Sequence, residues 1–128
     1  LSASETHSQA NLRKTHAQVL DECRRIAELV RSLPADRRPG FEGNVATAFG
    51  CTLEGPVPED KVVELAAALM AAGCDDVGLS DTTGYANPAQ LRRLIKRVRG
   101  EIGTSHLSGV HLHNTRGLGL ANALAALE

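Results

Sequence analysis

His111 and His113, in the run Val110-His111-Leu112-His113-Asn114-Thr115-Arg116-Gly117, are the groups in this chain best spaced to do chemistry. Successive side chains of an extended strand point to opposite faces, so a His-x-His pair throws both imidazoles to one face. Neutral imidazole is a common ligand for divalent transition metals, and two rings so placed can occupy neighbouring coordination positions without backbone strain. The bland alternative is that one ring caps the following helix while the other fills a sheet face. A second segment, Val77-Gly78-Leu79-Ser80-Asp81-Thr82-Thr83-Gly84, follows the same plan of apolar run, polar groups, glycine and helix-forming stretch. If both runs are parallel strands, their polar ends gather at the carboxyl edge of one sheet, where α/β proteins build their sites. His111, His113, Asp81, Ser80 and Thr82 are therefore the candidate site residues.

The rest of the composition narrows the classes. A length of 128 residues fits one domain, 42% hydrophobic residues suffice for a core, and the formal net charge is −1. Nucleic-acid binding is not indicated. Basic residues such as Arg92, Arg93, Lys96, Arg97 and Arg99 are spread along presumed helix surfaces, and only three aromatic residues are available to stack on bases. No apolar run approaches the roughly 20 residues that span a bilayer, and the chain does not begin with a signal peptide, so a cytoplasmic protein is expected. Cys23, Cys51 and Cys74 are odd in number and lack zinc-site spacing, which predicts reduced, mostly buried thiols. Cys51 follows a strand-like run and has two readings, packing or substrate contact.

The elements that must position these groups alternate regularly. Leu1 to Glu5 reads as a strand end, followed by one long helix from about Ser8 to Leu33, where apolar residues recur near the 3.6 period until Pro34 forbids continuation. Phe41 to Phe49 reads as a strand. Pro58-Glu59-Asp60 opens a helix with acids in its first turn, and Gly73 ends it. Asp75 to Ser80 is the next strand, Asn87-Pro88 starts a helix to about Arg99, and the strand Val110 to His113 leads into a helix beginning near Gly117.

Strand then helix, four times over, predicts an α/β fold with a parallel sheet and right-handed crossovers. With every helix on one side, the other sheet face would stay open. A TIM (β/α)8 barrel solves this by closing the sheet on itself, and such barrels take about 250 residues, so residues 1 to 128 look like about half of one. A free-standing four-strand doubly wound domain is the alternative.

Four segments carry a family resemblance. Ser2-Ala3-Ser4-Glu5, Phe49-Gly50-Cys51-Thr52-Leu53-Glu54-Gly55, Leu79-Ser80-Asp81-Thr82-Thr83-Gly84 and His111-Leu112-His113-Asn114-Thr115-Arg116-Gly117 stand in the order seen in hydroxymethylglutaryl-CoA lyases. Those enzymes belong to a wider group of metal-dependent lyases and Claisen-type synthases on TIM barrels. The resemblance implies that this chain holds barrel strands four to seven. It implies cleavage of 3-hydroxy-3-methylglutaryl-CoA, or a similar 3-hydroxyacyl-CoA, to acetyl-CoA and a keto acid, as in leucine degradation and ketone-body metabolism. It further implies a divalent metal, Mg2+ or Mn2+, held by His111 and His113, with His111 also moving protons. Asp81 would be a general acid/base or orienting group, and Ser4, Asn44, Ser80 and Thr82 would face the acyl-CoA substrate. The full-length protein is expected to be a homo-oligomer, with the remaining metal ligands, an Arg and a reactive Cys outside this chain.

The chain departs from the pattern at three places. Asn44 stands where well-studied lyases carry a Tyr, Thr52-Leu53 replaces a Pro-Tyr pair, and Asn114 replaces an Asp. These changes bear on the acyl group, so a related 3-hydroxyacyl-CoA, or a citramalyl- or aryl-type substrate, is an alternative. Two rival functions come from other classes: a synthase of the isopropylmalate or homocitrate type, and a non-catalytic barrel fragment. His7, His16 and His106 have no ligand spacing and read as surface or capping groups. Tyr85 reads as a packing or loop residue, and Asn122 as a support for the His-x-His loop or a helix-surface group.

Overall fold

Proline and glycine punctuation places most of the helices where the local chemistry demands. The computed structural model describes residues 1–128. Pro58 precedes α3 (Glu59–Ala72), whose first turn carries Glu59 and Asp60 and whose end is capped by Gly73 in the left-handed region at φ +105°. Asn87 caps α4 (Pro88–Ile102) by accepting from the Gln90 backbone N–H, with Pro88 at the first helical position. The last helix, α5 (Gly119–Leu127), begins two residues later than the glycine at 117 suggests, because Gly119 N donates to Asn114 Oδ1 at 2.8 Å.

The expected long first helix is two. Helix α1 (Glu5–Leu12) ends at Arg13, which turns into the left-handed region at φ +54°. Thr15 then starts α2 (His16–Ser32) with a reciprocal capping box, its hydroxyl accepting from Gln18 N and the Gln18 side chain accepting from Thr15 N. Apolar periodicity runs across this three-residue break without revealing it.

Three parallel strands form the sheet in the order β1 (Glu42–Val45), β2 (Asp76–Asp81), β3 (Leu107–Leu112). The register places Asn44 beside Gly78 and Ser80 beside His111. The expected fourth strand, at the start of the chain, reduces to one parallel bridge between Ser2 and Ala46, because Ser4 caps α1 immediately and ends the extension. The strand expected to run to Phe49 stops at Val45, since Thr47 at φ +54° turns the chain.

One sheet face is apolar. Val45, Val77 and Leu79 are fully buried, and they join Val62, Leu65 and Leu69 of α3 and Leu91, Leu94 and Val98 of α4 in a single core. Full burial of each such side chain contributes about 1.5–3 kcal/mol. The opposite face carries Glu42, Asn44, Ser80 and His111, none of them buried. A doubly wound sheet would cover both faces with helices and apolar residues, which the exposed polar second face does not fit. No helix is long and apolar enough to cross a membrane.

Candidate active site

The polar face ends in paired imidazoles. His111 Nε2 lies 3.1 Å from His113 Nε2, with the rings nearly perpendicular. His113 Nδ1 is 2.8 Å from the carbonyl oxygen of Thr82, which can only accept, so Nδ1 carries the proton and Nε2 presents a lone pair. With both rings neutral, the shared hydrogen bond is donated by His111 Nε2. Two nitrogens bonded to one ion at about 2.1 Å and a right angle stand about 3 Å apart, so this spacing fits adjacent coordination positions. The carbonyl behind His113 is the kind of outer partner that fixes a metal-binding tautomer. No set of three or more His, Cys, Asp or Glu side chains gathers to hold an ion, and the two imidazoles are the pair this face offers.

Asn44 and Ser80 share that face. Ser80 Oγ donates to Asn44 Oδ1 at 2.8 Å, which leaves the Asn44 amide nitrogen as a donor. This nitrogen lies across Gly78, where an added Cβ would stand 2.9 Å from it and 2.8 Å from Glu42 Oε1. A cleft of about 350 Å3 opens here, lined by Glu42, Asn44, Gly78, Ser108 and His111 among others.

Asp81 sits beneath this face rather than on it. Its carboxylate is fully buried; Oδ1 accepts from Tyr85 N at 2.9 Å, and both oxygens accept from Ala86 N at 3.2 Å. Asp81 thus ties down the loop 82–86 that presents the Thr82 carbonyl. Gly84, at φ +72°, lets this loop lie against the next one, because a Cβ there would collide with Thr115.

The remaining expected residues are distributed differently. Ser4 is buried and its hydroxyl accepts from His7 N, so it caps α1. The Thr82 hydroxyl accepts from Thr47 N at 2.8 Å, and the residue meets the site through its carbonyl. All three thiols are free; Cys51 is buried, Leu53 N donates to its sulfur, and it packs in the core rather than at the site. Tyr85 lines a loop cleft with Arg116, which donates to the Tyr85 carbonyl. Asn122 is buried and donates to Ala86 O, supporting the Asp81 loop and not the His-x-His loop. His106 holds the Asp75 carbonyl at 2.9 Å at the far end of the sheet. Thr47, whose strained backbone meets Thr82, carries no sequence signal.

Fold and site together define an α/β barrel-wall protein with paired imidazoles at the carboxyl end of a parallel strand. The chain belongs to the HMGL-like family, whose family model matches residues 1–128. It is 32% identical over 128 residues to the hydroxymethylglutaryl-CoA lyase of Bacillus subtilis, covering all of this chain and 41% of that protein. It is 37% identical over 130 residues to the (R)-citramalyl-CoA lyase of Chloroflexus aurantiacus, covering 39% of its length. Among solved structures, it superimposes with a TM-score of 0.87 and 42% identity on an HMG-CoA lyase from Acinetobacter baumannii in complex with coenzyme A and 3-methylmalate, covering 99% of this chain and 40% of that one. The chain thus spans about two fifths of the relatives it matches. Mammalian relatives named cytoplasmic and mitochondrial both match.

Proposed function

We propose that the intact protein is a divalent-metal-dependent acyl-CoA lyase, cleaving 3-hydroxy-3-methylglutaryl-CoA or a similar 3-hydroxyacyl-CoA to acetyl-CoA and a keto acid. The observation that carries this reading is the His111–His113 pair, with Nε2 atoms 3.1 Å apart beside the Asn44–Ser80 pair on one polar face. Residues 1–128 would supply strands four to seven of the catalytic (β/α)8 barrel, in an enzyme that works as a homo-oligomer in the cytoplasm.

Breaking the C–C bond requires loss of a tertiary hydroxyl proton and stabilisation of the enolate left on the acetyl-CoA side. Mg2+ or Mn2+, when bound, lowers the pKa of that hydroxyl and acts as a Lewis acid. His113 is pre-set for such an ion by the Thr82 carbonyl, and His111 both completes the pair and moves protons next to the reacting oxygens. The Asn44 amide donates to an acyl oxygen, with Ser80 fixing its orientation. Asp81 acts as an orienting group through the loop that carries Thr82, and Ser4 supports the neighbouring turn.

A citramalyl-type substrate is the second reading, favoured by Asn44, a small hydrogen-bonding side chain at the position where the family pattern has a Tyr. The test is keto acid release by the intact protein from hydroxymethylglutaryl-CoA and from citramalyl-CoA, with and without Mg2+ or Mn2+. Metal-dependent release from either supports lyase action and picks the substrate. Turnover only of acetyl-CoA with a 2-keto acid would replace it with the synthase, and no turnover with all three would overturn it.

A further inference from the structure

Thr47 adopts φ +54°, the left-handed region that a β-branched residue rarely enters. It is fully buried, and its hydroxyl is engaged on two sides, accepting from Ser4 N at 3.0 Å and sharing a hydrogen with Ser2 Oγ at 2.8 Å. Strained backbone of this kind persists only where the surroundings over-determine it, and it clusters at functional sites. Its backbone N–H points to Thr82 Oγ1 at 2.8 Å, and the carbonyl of that same Thr82 receives the His113 Nδ1 proton at 2.8 Å. A residue with ordinary negative φ at 47 would swing this N–H away from Thr82.

We infer that Thr47 is a positioning residue for the imidazole pair: its left-handed turn, locked by Ser2 and Ser4, anchors Thr82 so that the Thr82 carbonyl fixes His113 with Nε2 free. This rests on the metal-binding reading of His111 and His113. The hydroxyl serves to hold the strained turn, and the turn serves to aim one N–H. Glycine at 47 adopts the same φ without cost and keeps that N–H, whereas valine keeps the volume and branching but loses the hydroxyl that stabilises the turn. A role in filling space alone predicts the reverse order, because glycine leaves a cavity and valine fills it.

The test uses the intact protein as Thr47→Gly and Thr47→Val, with two readouts: imidazole 15N shifts of His113 in metal-free protein, and Mn2+ affinity by titration. The expected result is a parent-like Nδ1–H tautomer and Mn2+ affinity within a few-fold for Thr47→Gly. For Thr47→Val, mixed tautomers and an affinity about tenfold or more weaker are expected, the usual size of losing an outer partner of a metal ligand. Parent-like values for Thr47→Val, or a larger loss for Thr47→Gly, would overturn the inference. If Thr47→Val does not fold, Thr47→Ala, which also lacks the hydroxyl and disfavours positive φ, takes its place in the same comparison. The tautomer readout needs no metal, so a parent that binds no Mn2+ would remove the metal reading while leaving the Thr47–His113 coupling decided by the 15N shifts.

Discussion

His111 and His113 share one hydrogen bond between their Nε2 atoms, and the Thr82 carbonyl behind His113 dictates that His111 is its donor. One ring is therefore ready to ligate while the other must move its Nε2 proton first. Replacing His113 with Ala in the intact protein is expected to weaken Mn2+ binding by more than the roughly 10–100-fold that loss of an outer partner costs, and to lower turnover sharply. Mn2+ titration and keto acid release measure both. Unchanged values would remove His113 from the ligand set.

Asp81→Asn places an amide N–H2 where the carboxylate accepts from Tyr85 N and Ala86 N in a fully buried site. The Asn oxygen can keep both backbone donors, but its N–H2 then faces Ala86 N, a donor against a donor in a buried site, at a cost of about 1–3 kcal/mol. Urea denaturation should show that loss, and turnover should fall more than metal affinity, because the loop that aims the Thr82 carbonyl slackens without any ligand being removed. A folded variant of parental stability would mean that the loop does not depend on the charge.

How far the sequence reveals this arrangement depends on the range of the interactions that set each part. Local signals are read correctly: Pro58 with its first-turn acids, Gly73, and Asn87-Pro88 each mark a helix boundary through bonds within a few residues. The His-x-His spacing also survives, because strand alternation alone puts both rings on one face. Ser4 is the complementary case. Its segment makes only one bridge, so alternation does not govern where it points, and capping of α1 does. The Arg13 turn hides inside an unbroken apolar rhythm. Thr47 is the least visible, since its positive φ is imposed by Ser2 and Ser4, more than 40 positions earlier in the chain.

Glu59 joins α3 to α4 by accepting from Arg93 and Arg97. The hydrogen bond from Arg93 is the largest influence and holds its carboxyl below the usual value; burial opposes it, and the bond from Arg97 adds to the lowering. A carboxyl with a depressed folded pKa adds stability that is fully present above its unfolded value of 4.5 and is lost as pH falls through the folded value. Glu59→Gln should therefore lower stability at pH 7 by no more than about 1 kcal/mol, as for other accessible ion pairs. The difference from the parent should vanish at low pH, below both values. Denaturation of parent and variant across that range checks this, and a gap that persists in acid would assign the contribution to packing.

Cys74 closes the far end of the core, with its sulfur against the backbone of Gly43, where an added Cβ would stand only 2.9 Å away. Burial, helped by the neighbouring Cys23 and Asp75, pushes its thiol up to about 11. At pH 8 the thiolate fraction is then about one in a thousand, and the thiolate is the form that alkylates. Iodoacetamide at pH 8 should leave Cys74 unmodified in the folded protein while the half-buried Cys23 reacts first, and Cys74 should react at an ordinary rate once urea unfolds the chain. Peptide mass mapping of a labelling time course distinguishes the sites. Native-state labelling of Cys74 as fast as Cys23 would show that this end of the core opens readily, and that the packing of α2 over the α3–β2 junction is loose.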